Sequence, residues 1–348
     1  MNSSQKIFLE NPEWDEIVRS CYAYDFYHTR SYHKMEVSTT NHKAVLFVSS
    51  LDLNFIALPL LIREIENTSY FDGTSVYGYC GPISNLEDKK IPPLLVEKFQ
   101  NEIENFFKEQ NIISVFARLH PLINQESILK GIGNTKDINQ TIFINLKDTP
   151  EEQRKQYRKS NKSEINQLRG KKGYEVIRAT TEKEISLFAS IYNETMERVN
   201  AGDYYFFEEE YFIQLLNNSS FEAHLFLAIK DEEITAGAIF TVTNGIMQYH
   251  LAGTKEEYSK DTPMKLIIDE ARLYGNQNRL KFLHLGGGLN GSDDDSLFRF
   301  KSGFSKKKSQ FRTWEYIVNE TIYKELVSKN GVSNSTFFPL YRAKRINK

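Results

Sequence analysis

The 348-residue sequence predicts an α/β (α+β) protein built from two similar halves. Three observations carry this expectation. The length holds about two domains of roughly 150 residues each. Hydrophobic residues make up 40% of the chain and aromatic residues 13%, ample material for buried cores. The same order of strands and helices also recurs on either side of a change in composition near residue 150. Domains are therefore expected at 1–150 and 151–348, with no obvious sequence identity between them.

In the first half, residues 44–48 and 55–61 read as strands. Residues 92–110 place Leu95, Phe99, Ile103 and Phe106 at three- and four-residue spacing, an amphipathic helix opened by proline. Residues 112–117 read as a buried strand and 140–146 as another. Residues 150–172 then hold eight basic residues against three acids, a surplus of +5. That surplus fits either a solvated helix or a phosphate-facing ramp.

In the second half, residues 174–178 read as a strand and 181–199 and 208–216 as helices. The runs 223–230, 234–243 and 246–252 read as an antiparallel meander, with turns at 231–233 and at Asn244-Gly245, a dipeptide that tolerates positive φ. Thr262 and Pro263 are expected to cap and start a helix with Met264, Ile267, Ile268 and Ala271 on one face. A strand at 280–285 runs into GGGLNG, and a short helix at about 294–302 ends at Gly303.

Composition excludes several classes. The net charge of −2 rules out a histone-like nucleic-acid binder, so no DNA partner is expected and any polyanion must meet a local patch. The apolar run at 55–62 is far short of the ~20 residues of a membrane span. The N-terminus lacks the pattern of a secretory signal, and two cysteines make neither a disulfide framework nor a zinc site. A cytoplasmic protein is expected. The seven histidines show no metal spacing, and no G-x-S-x-G elbow or Cys-His pair is legible, so neither a metal nor covalent catalysis is expected.

GGGLNG satisfies G-x-G-x-x-G through Gly286, Gly288 and Gly291. Asp293, Asp294 and Asp295 crowd the helix start where a pyrophosphate would sit, so the loop is expected to shape a cleft rather than hold a dinucleotide. The three aspartates read as helix-capping acids, not metal ligands. In LFRFKSGF, Leu297, Phe300 and Phe304 form an apolar stripe with Lys301 at its edge. Such a lysine either snorkels to water or, partly desolvated, faces a developing oxyanion or phosphate. Residues 299–312 hold six basic residues and no acid.

The segments YYFFEEEYF (204–212), AGAIF (236–240), YHLAGT (249–254), HLGGG (284–288) and LFRFKSGF (297–304) together resemble the Fem family of peptidoglycan-bridge aminoacyltransferases and their BioF2-like relatives. YGYCGPI at 77–83 is similar to that family's Gly-Pro motif in the first domain. The resemblance implies two GNAT-like acyltransferase domains in tandem, each a mainly antiparallel sheet flanked by helices. It implies transfer of an aminoacyl group from aminoacyl-tRNA to an amine of a cell-wall precursor, with no cofactor.

By the same resemblance Lys301, with Phe300 beside it, stabilises charge near the scissile ester or the tRNA 3′ end. Arg198, Tyr204 and Tyr205 hold the acceptor, and Tyr79, Gly287 and Gly288 join the substrate site. The sequence departs from the family by placing aromatics where a second basic residue often follows that arginine. It also lacks a long helical-hairpin arm. The acyl-CoA signature Q/R-x-x-G-x-G/A is missing after His250, where the chain reads TKEEYSKDTP. The expected function is N-(amino)acyl transfer, from aminoacyl-tRNA, to an amine of a cell-envelope precursor such as a nucleotide-sugar. The alternatives are an acyl-CoA-dependent N-acyltransferase acting on an amino sugar and a non-catalytic module that binds a nucleotide-sugar or RNA.

Overall fold

A computed structural model of the chain describes residues 4–288, 295–332 and 335–344. Contacts gather the chain into two compact units, Met1–Ile138 with Gln310–Lys348, and Asn139–Ser309. The sequence reading divides it at 150 instead, and the difference is topological. Strand Lys308–Ile317 returns to pair with Ile112–Arg118, from Thr313 opposite Arg118 to Ile317 opposite Ser114. The Ile142–Asn145 end of strand Asn134–Asn145 pairs with Phe282–Gly286. Each sheet thus takes its last strand from across a division at residue 150.

The first unit's sheet runs in the order Ser4–Phe8, Lys43–Leu51, Asn54–Glu64, Phe71–Thr74, Ile112–Arg118, Lys308–Ile317. Every neighbouring pair is antiparallel except Phe71–Thr74 with Ile112–Arg118. The second unit's sheet runs Glu175–Arg178, Glu222–Lys230, Glu233–Thr243, Ile246–Thr254, Phe282–Gly286, Asn134–Asn145. Here too only the fourth and fifth strands are parallel. The helices repeat as well. In each unit two helices separate the first and second strands (Glu13–Ser20 and Arg30–Ser38; Glu182–Arg198 and Glu209–Leu216), and a long helix precedes the fifth (Pro93–Glu109; Met264–Gln277). The duplication expected from element order is present as shared topology.

Local chemistry explains the elements. The meander's two hairpins turn at Asp231-Glu232 and Asn244-Gly245, all four at positive φ, matching the right-handed twist of the strands they join. Helix Met264–Gln277 buries the face formed by Met264, Ile267, Ile268 and Ala271 against Phe226, Ala238, Phe240 and Leu283. Each large aliphatic side chain so buried contributes about 1.5–3 kcal/mol. In the first unit, helix Pro93–Glu109 likewise sets Leu95, Phe99, Ile103 and Phe106 on Val45, Phe47 and Leu58. Thr262 does not cap its helix, contrary to the sequence reading. Its φ is +58° and its hydroxyl donates to Glu164 at 3.0 Å.

The basic surplus of 150–172 is partly internal. The fully buried Asp269 carboxylate accepts from Arg154 at 3.0 Å, Arg169 at 2.9 Å, Arg272 at 3.0 Å and the Tyr157 hydroxyl at 3.0 Å. One acid therefore pins two of the eight basic residues onto helix Met264–Gln277. Among the described residues no helix is long and apolar enough to cross a membrane. Cys21 and Cys80 are free thiols, both buried.

Candidate active site

The second sheet opens into a fork. Strands Ile246–Thr254 and Phe282–Gly286 pair only from Ile246 opposite Phe282 to Gln248 opposite His284. Just past the last paired residue, each arm carries a bulge. Ile239 faces Leu251 and Phe240 faces Tyr249, which leaves His250 as the extra residue. His284 faces Phe143 and Gly286 faces Ile142, which leaves Leu285 as the extra residue. A bulge bends its strand and ends regular pairing. Beyond Gln248 the arm Ile246–Thr254 is no longer paired with strand Phe282–Gly286.

Lys301 sits between the arms. Its ammonium donates to the Gly287 carbonyl at 2.8 Å, just beyond the end of one arm, and lies 5.7 Å from the centre of the Tyr249 ring on the other. Lys301 is only 8% exposed. Burial pulls its pKa down from 10.5 to about 8, while the Asp295 carboxylate works in the opposite direction. An ammonium has three donors, and Gly287 takes one. The arrangement offers a partly desolvated cation to a developing negative charge.

The loop's glycines meet steric demands. Gly286 has φ +77°, a left-handed conformation that favours glycine. A Cβ on Gly288 would overlap the Asp295 carboxylate, and one on Gly287 would approach the Gln140 carbonyl to 3.2 Å. Asp295 caps the short helix Ser296–Lys301 by accepting from the Phe298 amide at 2.8 Å, the role expected of it. Gly291, Asp293 and Asp294 lie outside the described residues. The apolar stripe is shifted from the sequence reading: Phe298, Lys301 and Phe304 are buried, whereas Leu297 and Phe300 are half-buried. The 100° step per residue puts Phe298 and Lys301 on one side of the helix, and Phe304 follows in the turn beyond it, so the lysine lies in the stripe and not at its edge. Phe300 meets Phe304 edge-to-face at 5.5 Å.

The remaining expected site residues have contacts of their own within their units. Arg198, at the end of helix Glu182–Arg198, donates to the Thr254 carbonyl at 2.9 Å and to Glu194 at 3.4 Å. It ties down the far end of the arm that carries Tyr249. Tyr204 and Tyr205 form a short turn, edge-to-face at 5.9 Å, with Tyr204 53% exposed. Tyr79 belongs to the first unit, where its ring packs edge-on against Phe311 at 5.2 Å and His120 at 6.0 Å. Below it His120 Nε2 donates to the buried Asp25 at 2.9 Å, its tautomer fixed because Nδ1 accepts from the Leu122 amide at 3.1 Å.

Sequence reasoning missed Tyr249 as a partner of Lys301 and missed Asn161. A Cβ on Gly303 would come within 2.5 Å of the buried Asn161 amide nitrogen and 3.0 Å of the Phe300 carbonyl, so the glycine of FKSGF lets Asn161 pack against the turn after Lys301. The glycine was the legible signal, since a close approach is one reason for its use.

Residues 155–302, nearly all of the second unit, match the acetyltransferase (GNAT) domain family. No curated protein sequence matches the chain. Among solved structures, FemX superposes with a TM-score of 0.73 at 14% identity, over 93% of this chain and 99% of FemX. L-PGS from Bacillus licheniformis gives 0.58 at 13% identity, over 92% and 96%. The C-terminal domain (DUF2156) of a putative lysylphosphatidylglycerol synthetase from Agrobacterium fabrum gives 0.55 at 11%, over 87% and 91%. Residues 155–302 are thus an acetyltransferase (GNAT) domain, which makes the protein an acyltransferase. The chain as a whole has the fold of FemX, two units of one topology.

Proposed function

We propose that the protein transfers an aminoacyl group from aminoacyl-tRNA to an amine of a cell-envelope precursor. The observation that carries this reading is Lys301 between the arms of the fork. The acceptor amine attacks the ester carbonyl and the carbonyl oxygen becomes an oxyanion, to which Lys301 donates. Collapse breaks the bond to the ribose oxygen, which leaves with the proton that the amine gives up. One well-placed donor of this kind contributes about 3–4 kcal/mol to the transition state.

The approach to helix Met264–Gln277 supports an RNA donor over a CoA thioester. A pyrophosphate there needs backbone amides freed by glycines. The stretch Lys255–Asp261 has no glycine and forms a turn bearing Glu256, Glu257 and Asp261, with Lys172 bound to Asp261 at 2.8 Å. The acetyltransferase domain match favours a second reading, in which acyl-CoA is the donor and an amino sugar the acceptor.

A thermal-shift screen with charged tRNA, CoA thioesters and UDP-amino sugars separates them, because a ligand at 100 times its Kd stabilises the native state by about 2.7 kcal/mol. Stabilisation by charged tRNA and an amine-bearing precursor is expected. Stabilisation by acetyl-CoA alone would replace this reading with the second.

A further inference from the structure

We infer that the exposed cations of residues 155–162 and 299–306 form one docking surface for the phosphate backbone of the RNA donor, leading to Lys301; this rests on the tRNA reading above. In sequence the two basic stretches are far apart, but the fold joins them. The Arg158 amide donates to the Gly303 carbonyl at 2.8 Å. The Arg158 guanidinium donates to the Arg299 carbonyl at 3.2 Å, 141 positions away, and to the Ser302 hydroxyl at 3.3 Å. The Gln156 side-chain oxygen accepts from Ser305 at 3.2 Å and from the Lys306 amide at 3.4 Å.

The ion pairs sort the basic residues into two sets. Arg154 and Arg169 are held by Asp269, Lys172 by Asp261, Lys265 by Glu164 and Lys307 by Asp148. Lys155, Arg158, Lys159, Lys162, Arg299 and Lys306 pair with no carboxylate among the described residues. All six are exposed except the half-buried Lys162. The first turn of helix Lys159–Gly170 contains no acid, and Glu152 on the turn before it is folded back onto Thr149. Six like charges on one surface are electrostatically costly unless an anion covers them.

The surface also has a direction. Helix Ser296–Lys301 carries Arg299 on its exposed side and Lys301 on its buried side, so a strand of phosphates over Arg158 and Arg299 ends beside the fork. A CoA pyrophosphate has too few charges to engage all six cations, whereas an RNA backbone supplies them in series.

The test is binding of deacylated tRNA, read by fluorescence anisotropy between 50 and 200 mM salt. It compares the wild type, a Lys155→Gln/Lys159→Gln/Lys306→Gln variant and a charge-matched Lys183→Gln/Lys260→Gln/Lys281→Gln control. At roughly 0.7–0.9 per phosphate contact, the first variant should flatten the log–log salt slope by about two to three. Its affinity should then fall about 20- to 40-fold less than that of the wild type over this range, with the control matching the wild type. An unchanged slope in the first variant would overturn the surface and leave the tRNA donor standing. No tRNA binding by the wild type at 50 mM salt, together with turnover of acetyl-CoA, would overturn both.

Discussion

The Lys301 ammonium donates to the Gly287 carbonyl at 2.8 Å, across the mouth of a fork whose two arms share three residue pairs. The carbonyl and the Tyr249 ring replace only part of the water a lysine normally keeps. Burial therefore outweighs the pull of Asp295, and the amine is left poised near neutrality.

Lys301→Ala is expected to lower kcat by about 10²- to 10³-fold, the usual cost of losing one oxyanion donor. The melting temperature should be nearly unchanged, because deletion also removes the cost of keeping an amine desolvated. Steady-state kinetics beside a melting curve check both halves.

Activity that depends on the Lys301 cation should follow its protonation. The folded pKa of about 8 lies below the ordinary 10.5, so the ammonium is present below about pH 8 and lost as the pH rises through it. The kcat profile should fall on its alkaline side with an apparent pKa near 8. Lys301→Arg, which stays charged, should lose that limb even where its turnover is lower.

Gly303→Ala should act on the site from behind. The added methyl meets Asn161 and the Phe300 carbonyl, and a backbone oxygen cannot move aside cheaply. A loss of about 1–3 kcal/mol of stability is expected, as for overpacking elsewhere, with a fall in kcat as the turn after Lys301 shifts. Urea unfolding and kcat measured on one preparation test this.

The first unit should be acid-labile through two histidines. Burial, helped by the nearby His120, lowers His28 from 6.5 to about 3, and burial lowers His33 to about 4. Both folded values are depressed, so the unfolded chain binds more protons between about pH 6.5 and 4 and stability drops as the pH falls through that window. The slope approaches about 1.4 kcal/mol per pH unit for each histidine. Urea midpoints at pH 7, 6 and 5 should fall accordingly, and His33→Phe should flatten the decline.

Much of this fold could be read from the sequence. The meander was legible because alternating apolar residues end at Asn244-Gly245 and Asp231-Glu232, whose turn chemistry is local. The helix face Met264, Ile267, Ile268, Ala271 was legible by spacing. The closing strands were not, because pairing Ile142 with Gly286 or Thr313 with Arg118 depends on contacts distant in sequence. The fork escaped for a related reason. The bulges at His250 and Leu285 are set by neighbouring strands and leave no mark in YHLAGT or HLGGG. Lys301 was found, but its burial was not, since Phe298 takes the place expected of Leu297. Arg198 was singled out for a ligand, yet its guanidinium is bound to Thr254 and Glu194.

The most direct test is the rate at which radiolabelled aminoacyl-tRNA passes its amino acid to an amine-bearing envelope precursor, with wild-type protein and with Lys301→Ala. Transfer by the wild type, reduced at least a hundredfold in a folded Lys301→Ala protein, is the predicted result. Equal transfer by the two proteins would contradict the assignment of Lys301 as the catalytic cation.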